Sequence, residues 1–244
     1  MLSATQLQGI TTSGASALKA GFVNALNAAQ LGALSTSQIQ SLSTGELSSV
    51  STTNLKLLST NQVQVLSSAA LNALGMSQIQ ALTSSQIQSI GTSVLANLSS
   101  TNLRALTTTQ IQALTANSLS SLSTSTMQLL QTQQLAALTT AQLTNLSTAN
   151  FAALSSTQIR GLGNNQIAAL TTTDARAMGA NQLNGLTASQ LTALTTDSIT
   201  ALSSTQVQSL TTATLNSLTV NQVRALQTED FQALGTSKIT ALSA

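Results

Sequence analysis

Cysteine, histidine, proline, tryptophan and tyrosine are all missing from this chain of 244 residues, and phenylalanine appears only as Phe22, Phe151 and Phe231. Without cysteine there can be no disulfide, no thiolate zinc site and no cysteine nucleophile. Without histidine the commonest general base and the other usual transition-metal ligand are gone as well. Charge is scarce too: seven cations and five anions leave a net charge of +2, so a pI near 9.7 describes a nearly uncharged molecule. With neither a Lys/Arg cluster nor an aromatic platform, nucleic acid is not an expected partner. No apolar run approaches the ~18 residues a membrane helix needs, and Met1 to Ile10 lack a basic segment followed by an apolar one, so neither a membrane span nor a cleavable signal is expected in these residues.

What is present is a repeat. A period of eight runs without a slip from Leu2 to Leu242, and this self-similarity takes precedence over any local reading. With Leu2, Ile10, Leu18, Leu26 and every eighth residue after them as position one, all 31 members are Leu apart from Ile10, Val50, Ile90 and Met178. Position six, from Leu7 to Ile239, is apolar in all 30 octads, with Ala15 and Ala175 its only small members. The consensus reads Leu, Ser/Thr, Thr, any residue, Gln, Ile/Leu, Gln or any residue, Ala.

Position two points to helix. It is Ser, Thr, Asn or Gly in 28 of 31 cases, and position five is Gln or Glu in 16 of 30. A hydroxyl followed three residues later by Gln or Glu is a capping box, here written once per octad, as in Ser35 with Gln38, Thr107 with Gln110 and Ser203 with Gln206. The step from position six to the next position one is three residues and stays on one helical face, whereas the step from position one to position six is five and does not. A helix of about six residues per octad should therefore stop near position one and restart at position two. The charges fit this frame. All five acids, Glu46, Asp174, Asp197, Glu229 and Asp230, fall at positions four or five, near the start of the helix. Five of seven cations, Lys56, Arg104, Arg160, Arg176 and Arg224, fall at position seven, near its end, as the helix dipole favours. Lys19 and Lys238 depart from the pattern. Position seven otherwise reads as the solvent row. Position eight, small in 27 of 30 octads, reads as a place where a neighbouring backbone comes close.

The expected architecture is an all-α repeat solenoid, one short capped helix per octad wound into a superhelix, spanning 1–244 as a single array of about 30 repeats. The alternative is a β-solenoid, since Thr, Ile and Val favour strands. Against it stand the five-and-three spacing, the abundance of Gln, Ala and Leu, and only 12 Gly to make turns. One continuous helix fits less well still, because at about 100° per residue an eight-residue stripe drifts by about 80° per repeat. Two buried aliphatic side chains cannot offset the ordering of eight residues, so stacking between octads must supply the difference. Leu2 and Leu242 are already in register, as expected of a stretch from a longer array or of a unit whose ends meet other copies.

Candidate sites are few, and each has a plainer reading. Asp174 and Arg176 stand in the least regular octad, where Ala175 and Met178 replace the usual large residues; a notch is one reading and a tolerated defect the better one. Glu229 and Asp230 could face a cation, yet no calcium loop surrounds them and helix N-terminal charges account for them. Gly161 and Gly163 lack the context of a phosphate loop, and Gly163 falls on the cap position. The serines have no base to activate them. The Gln row could form amide ladders, although the capping box already gives it a role. Catalytic, cofactor-binding and metal-ligating residues are all read as none, no cofactor is expected, and the chain is not expected to be an enzyme.

The octads Leu106-Thr-Thr-Thr-Gln-Ile-Gln-Ala113, Leu82-Thr-Ser-Ser-Gln-Ile-Gln-Ser89 and Leu138-Thr-Thr-Ala-Gln-Leu-Thr-Asn145 resemble the Leu-Thr-Thr-x-Gln-Ile repeat tracts of very large secreted or surface proteins of Gram-negative bacteria. That resemblance covers the whole chain and implies an extracellular adhesin, matrix or filament segment; it carries over no catalytic or binding residue. Two functions follow as expectations. The first is a structural or adhesive role as stalk, spacer or fibre-forming unit, with self-association or neighbouring repeats as partners and no small-molecule substrate. The other is a recognition solenoid that binds a peptide or glycan along one face.

Overall fold

The structure is a computed structural model that describes residues 2–18 and 21–241. Lys19 and Leu242 therefore lie outside the described residues. The described chain forms 28 short α-helices, one 3-10 turn at Val23–Ala25, and no strand, so the all-α reading holds and the β-solenoid does not. Helices of five or six residues begin at position three of the octad, as in Thr36–Ser41, Ser84–Ser89, Thr108–Ala113 and Asn164–Ala168. Position two is the N-cap, with the cap oxygen accepting from the position-five backbone N–H, as Ser35 Oγ does from Gln38 N at 3.2 Å.

The corner between helices explains the shortage of Gly and the tolerance of β-branched residues. Position one and position two both take extended backbone, for example Leu34 at φ −67°, ψ 127° and Ser35 at φ −67°, ψ 158°. Any L-residue adopts these angles. The octad therefore turns without a left-handed residue; among the described residues only Gly21 (φ 90°) and Gly235 (φ 72°) have positive φ. Gly235 puts a kink into the last helical segment, Thr228–Ala241.

The described residues fall into two compact units, Met1–Leu122 and Ser123–Ala244. Within each, a helix packs against the one three octads further on. In the first unit Ser84–Ser89 lies between Thr60–Gln64 and Thr108–Ala113; in the second Asn164–Ala168 packs on Ala188–Ala193, and Ser156–Arg160 on Ala180–Gly185. The chain thus closes a superhelical turn and comes back over itself, and the contacts that matter join octads distant in sequence.

Both apolar rows face inward. Position six is the deepest row, with Leu55, Ile111, Leu135, Phe151 and Val207 fully buried, and position one closes the core beside it. Ala175 and Met178 occupy the same two buried rows as the residues they replace. The small residues at position eight meet the preceding turn. A Cβ on Gly161 would come 3.0 Å from Thr132 Cβ, and one on Gly185 3.0 Å from Ser156 Cβ, so the preceding turn approaches closely at these two positions and would have to give by a few tenths of an ångström to admit a side chain.

Far-ultraviolet circular dichroism of the purified chain should show the paired minima of helix, at about 208 and 222 nm. A single minimum at about 217 nm would overturn the architecture.

Candidate functional site

The chemistry of this protein is concentrated at position five. In the regular octads this Gln is buried, and its side-chain amide is shared between two turns. Gln110 accepts the Thr107 backbone N–H through Oε1 at 2.9 Å, which caps its own helix. Its Nε2 donates to the carbonyls of Ile79 and Leu82, 31 and 28 residues earlier, at 2.7 Å each. Gln86 does the same to Leu55 and Leu58, and Gln222 to Leu191 and Leu194. The receiving carbonyls belong to positions six and one, where a helix has run out and its last C=O groups want donors. One neutral amide thus satisfies an N-terminus in its own octad and a C-terminus in the turn below. The offset of 28 residues is three and a half octads, so each helix start sits over the end of a helix in the preceding turn.

Several substitutions at position five keep the donor. Asn54 and Asn102 reach down in place of capping their own helices, with Nδ2 to Val23 O at 2.8 Å and to Leu71 O at 2.7 Å. Lys238, which departs from the charge pattern, stands at position five and sends Nζ to the carbonyls of Gln208 and Leu210. Its departure is explained: an ammonium replaces the amide donor.

In three octads whose position five does not cap, an Asn at position seven of the preceding turn does so. Asn72 Oδ1 accepts from Ser99 N at 2.7 Å in the octad of Asn102. Asn184 Oδ1 accepts from Thr211 N at 2.9 Å and from Thr214 Oγ1 at 3.0 Å in the octad of Thr214. Asn24 accepts from Ser51 N in the octad of Asn54. Position seven is mostly exposed, as the solvent row should be, but it also links turns: Asn72 Nδ2, Gln128 Nε2, Arg176 Nε and Asn184 Nδ2 each donate to a position-eight carbonyl 25 residues later. Sequence reasoning assigned the Gln its cap and missed its second bond. The signal was available in Asn54, Asn102 and Lys238, three donors at a position where a capping box needs only an acceptor.

The residues singled out from sequence take structural places. Asp174 is buried and caps its helix, accepting from Thr171 N at 3.1 Å and Thr171 Oγ1 at 2.6 Å. Asp230 accepts from Gln227 N at 2.9 Å. Gly163 N donates to Gln166 Oε1 at 2.8 Å. Arg176, Glu229 and Asp230 are brought together, lining an open cleft of about 530 Å³ with Gln206 and Gln227. Among the described residues no group of three or more His, Cys, Asp or Glu is placed to hold a metal, and no helix is long and apolar enough to cross a membrane.

A family model built on the same octapeptide matches three overlapping stretches, 127–164, 140–172 and 167–204. Residues 127–204 are thus similar to ALTTAQ repeats. Comparison with curated proteins gives no match. The ALTTAQ match agrees with the resemblance to tracts of large secreted or surface bacterial proteins, and an extracellular or cell-surface location goes with it. Within the matched stretch the ALTTAQ pattern keeps the clamp: Gln158 Nε2 donates to Leu130 O at 2.8 Å, Gln166 to Leu138 O at 2.7 Å and Gln190 to Leu162 O at 2.7 Å.

Replacing Gln110 by Ala takes the partner from the Thr107 N–H and the Leu82 carbonyl and one of two donors from Ile79 O, which keeps the Leu82 N–H at 3.2 Å, and should cost about 2–4 kcal/mol, read as a lower midpoint in urea. Asn184→Ala alone should destabilise, and Asn184→Ala with Thr214→Gln should recover most of the loss, because the new Gln brings its own cap. A double variant no more stable than the single one would refute the division of labour between positions five and seven.

Proposed function

We propose that the chain is a non-catalytic structural element of a surface or secreted protein, a stalk, spacer or fibre-forming unit, and that residues 1–244 work as one array. The observation that carries this reading is the clamp itself. The buried amides at regular octads are spent on holding turns together, and the outer rows present Ser, Thr, Gln, Asn and Ala with few charges and no exposed aromatic cluster. Such a surface gives little purchase for specific recognition, where aromatic and Arg anchors dominate. A self-supporting array at the cell surface needs rigidity and repetition, and both are supplied here.

A second reading, recognition of a peptide or glycan along one face, has one specific feature in its favour. The cleft lined by Arg176, Glu229 and Asp230 gathers charges of both signs in a chain that has twelve charged residues. Glycan or peptide arrays that return a ligand whose binding is lost in Arg176→Ala would support this reading over the structural one.

Association should be nearly insensitive to salt, because there are few charges to screen. In electron microscopy at rising protein concentration, particles should lengthen to the same extent at about 0.05 and about 0.5 M salt. Assembly abolished by moderate salt would point to the Arg row as the contact instead.

The array itself is tested by deletion. Removing Leu106 to Ala113 joins Ala105 to Leu114 and keeps every cap and both apolar rows in register, so unfolding should stay cooperative at a modest loss of stability. Removing Leu106 to Thr109 joins Ala105 to Gln110 and puts the octads on either side out of phase, which should split the melting transition. Equal cooperativity in both variants would mean that the octad is not the folding unit.

A further inference from the structure

Among the described residues one buried side-chain polar atom is without a hydrogen-bond partner, Oε1 of Glu46. Glu46 occupies position five in the helix Thr44–Ser49 and is 2% exposed. Its other oxygen does what a clamp Gln does for its own octad: Oε2 accepts from Ser43 N at 2.8 Å and Ser43 Oγ at 2.9 Å. Oε1 therefore takes the place that Nε2 takes elsewhere.

The clamps on either side define what lies beneath it. Gln38, eight residues earlier, donates to Leu7 O and Ile10 O; Asn54, eight residues later, donates to Val23 O and Leu26 O. Both keep offsets of 31 and 28 residues. The same offsets from Glu46 lead to Ala15, at the end of the helix Thr12–Ser16, and to Leu18, two residues past it. Where a regular octad puts two amide hydrogens between turns, the register of the neighbouring octads puts a buried carboxylate oxygen at the level of these two carbonyls.

We propose that Glu46 Oε1 and the carbonyls of Ala15 and Leu18 form a site for one hard, oxygen-seeking cation of the calcium class. The ligand set contains only oxygen, as such cations require. It lies over a helix C-terminus, the end that favours positive charge. One carboxylate and two neutral carbonyls make a low-charge site, and low ligand charge goes with weak binding, in the range suited to an extracellular module. Calcium fits better than magnesium, which demands a near-ideal octahedron and gives up water reluctantly. Asp174 and Asp230, also acids at position five, are a methylene shorter, and neither has a buried oxygen without a partner.

The test uses the full chain, stripped with EDTA and held in tetramethylammonium chloride at constant ionic strength. Calcium at about 1 mM should raise the melting temperature, and equilibrium dialysis should count one ion per chain. Glu46→Gln restores the amide, so this variant should melt above the calcium-free wild type and no longer respond to calcium. Asp174→Asn should keep the wild-type response. Three results would each overturn the proposal: a wild-type melt indifferent to calcium, calcium binding retained in Glu46→Gln, or stabilisation by acid alone, which would put a proton on Oε1. A calcium response that appears only in Lys19→Met would overturn it too, by making Lys19 the native counter-charge.

Discussion

One bond pair sets the terms for the rest of the molecule: the position-five amide that accepts from its own N-cap and donates to two carbonyls 28 and 31 residues behind. Short helices are mostly ends, and ends carry unsatisfied N–H and C=O groups. A fold made of five- and six-residue helices is viable only if almost every end finds a partner. Placing helix starts over the helix ends of the previous turn lets one side chain serve both. A primary amide is suited to this because it is an acceptor and a donor on one planar group, and it is neutral, so it can be buried without the desolvation cost of a charge. The scarcity of charge and the abundance of Gln have the same cause.

The substitutions at position five read as partial losses of those two functions. Asn54 and Asn102 keep the donor and lose the cap, and an Asn at position seven of the turn below restores it. Lys238 keeps only the donor, following Gly235 at the cap position. Asp174 and Glu46 keep only the acceptor. Ser118 and Thr214 each keep a short-range contact with the cap hydroxyl, and Thr214 reaches the turn below only through Asn184. Repair from position seven has a physical basis: Asn184 is near enough to bond both Thr211 N and Thr214 Oγ1 from below. Drift at one octad can thus be absorbed by another 27 or 30 residues away, and neither change is interpretable alone.

Much of this could be read in the sequence, and what could not has a common reason. Helix placement, the cap at position two, the two buried rows and the small eighth position all follow from rules that act within eight residues, and Ser35, Leu55, Ile111 and Gly185 sit where those rules put them. The inter-turn bonds depend on the superhelical pitch, which no rule acting within one octad specifies. Gln110 was legible as the capping partner of Thr107; that its Nε2 would meet Ile79 and Leu82 required knowing that the chain returns after three and a half octads. The joint cleft of Arg176 with Glu229 and Asp230 was hidden for the same reason, since those residues are separated by two turns.

The pitch also changes how cooperativity should be understood. If octads were coupled only to their sequence neighbours, a defect would be felt on two sides. Here an octad is bonded through position five to the turn before it and through its own carbonyls and position seven to the turn after it, as Asn184 is to Thr211 and Gln182 is to Leu154. A fault in one octad therefore weakens contacts about 28 residues away in both directions, while its immediate neighbours keep their own caps and clamps. Stability is shared around each turn as well as along the chain, which lets so small a repeat tolerate irregular members such as the one containing Ala175 and Met178 without losing the buried rows that run through it.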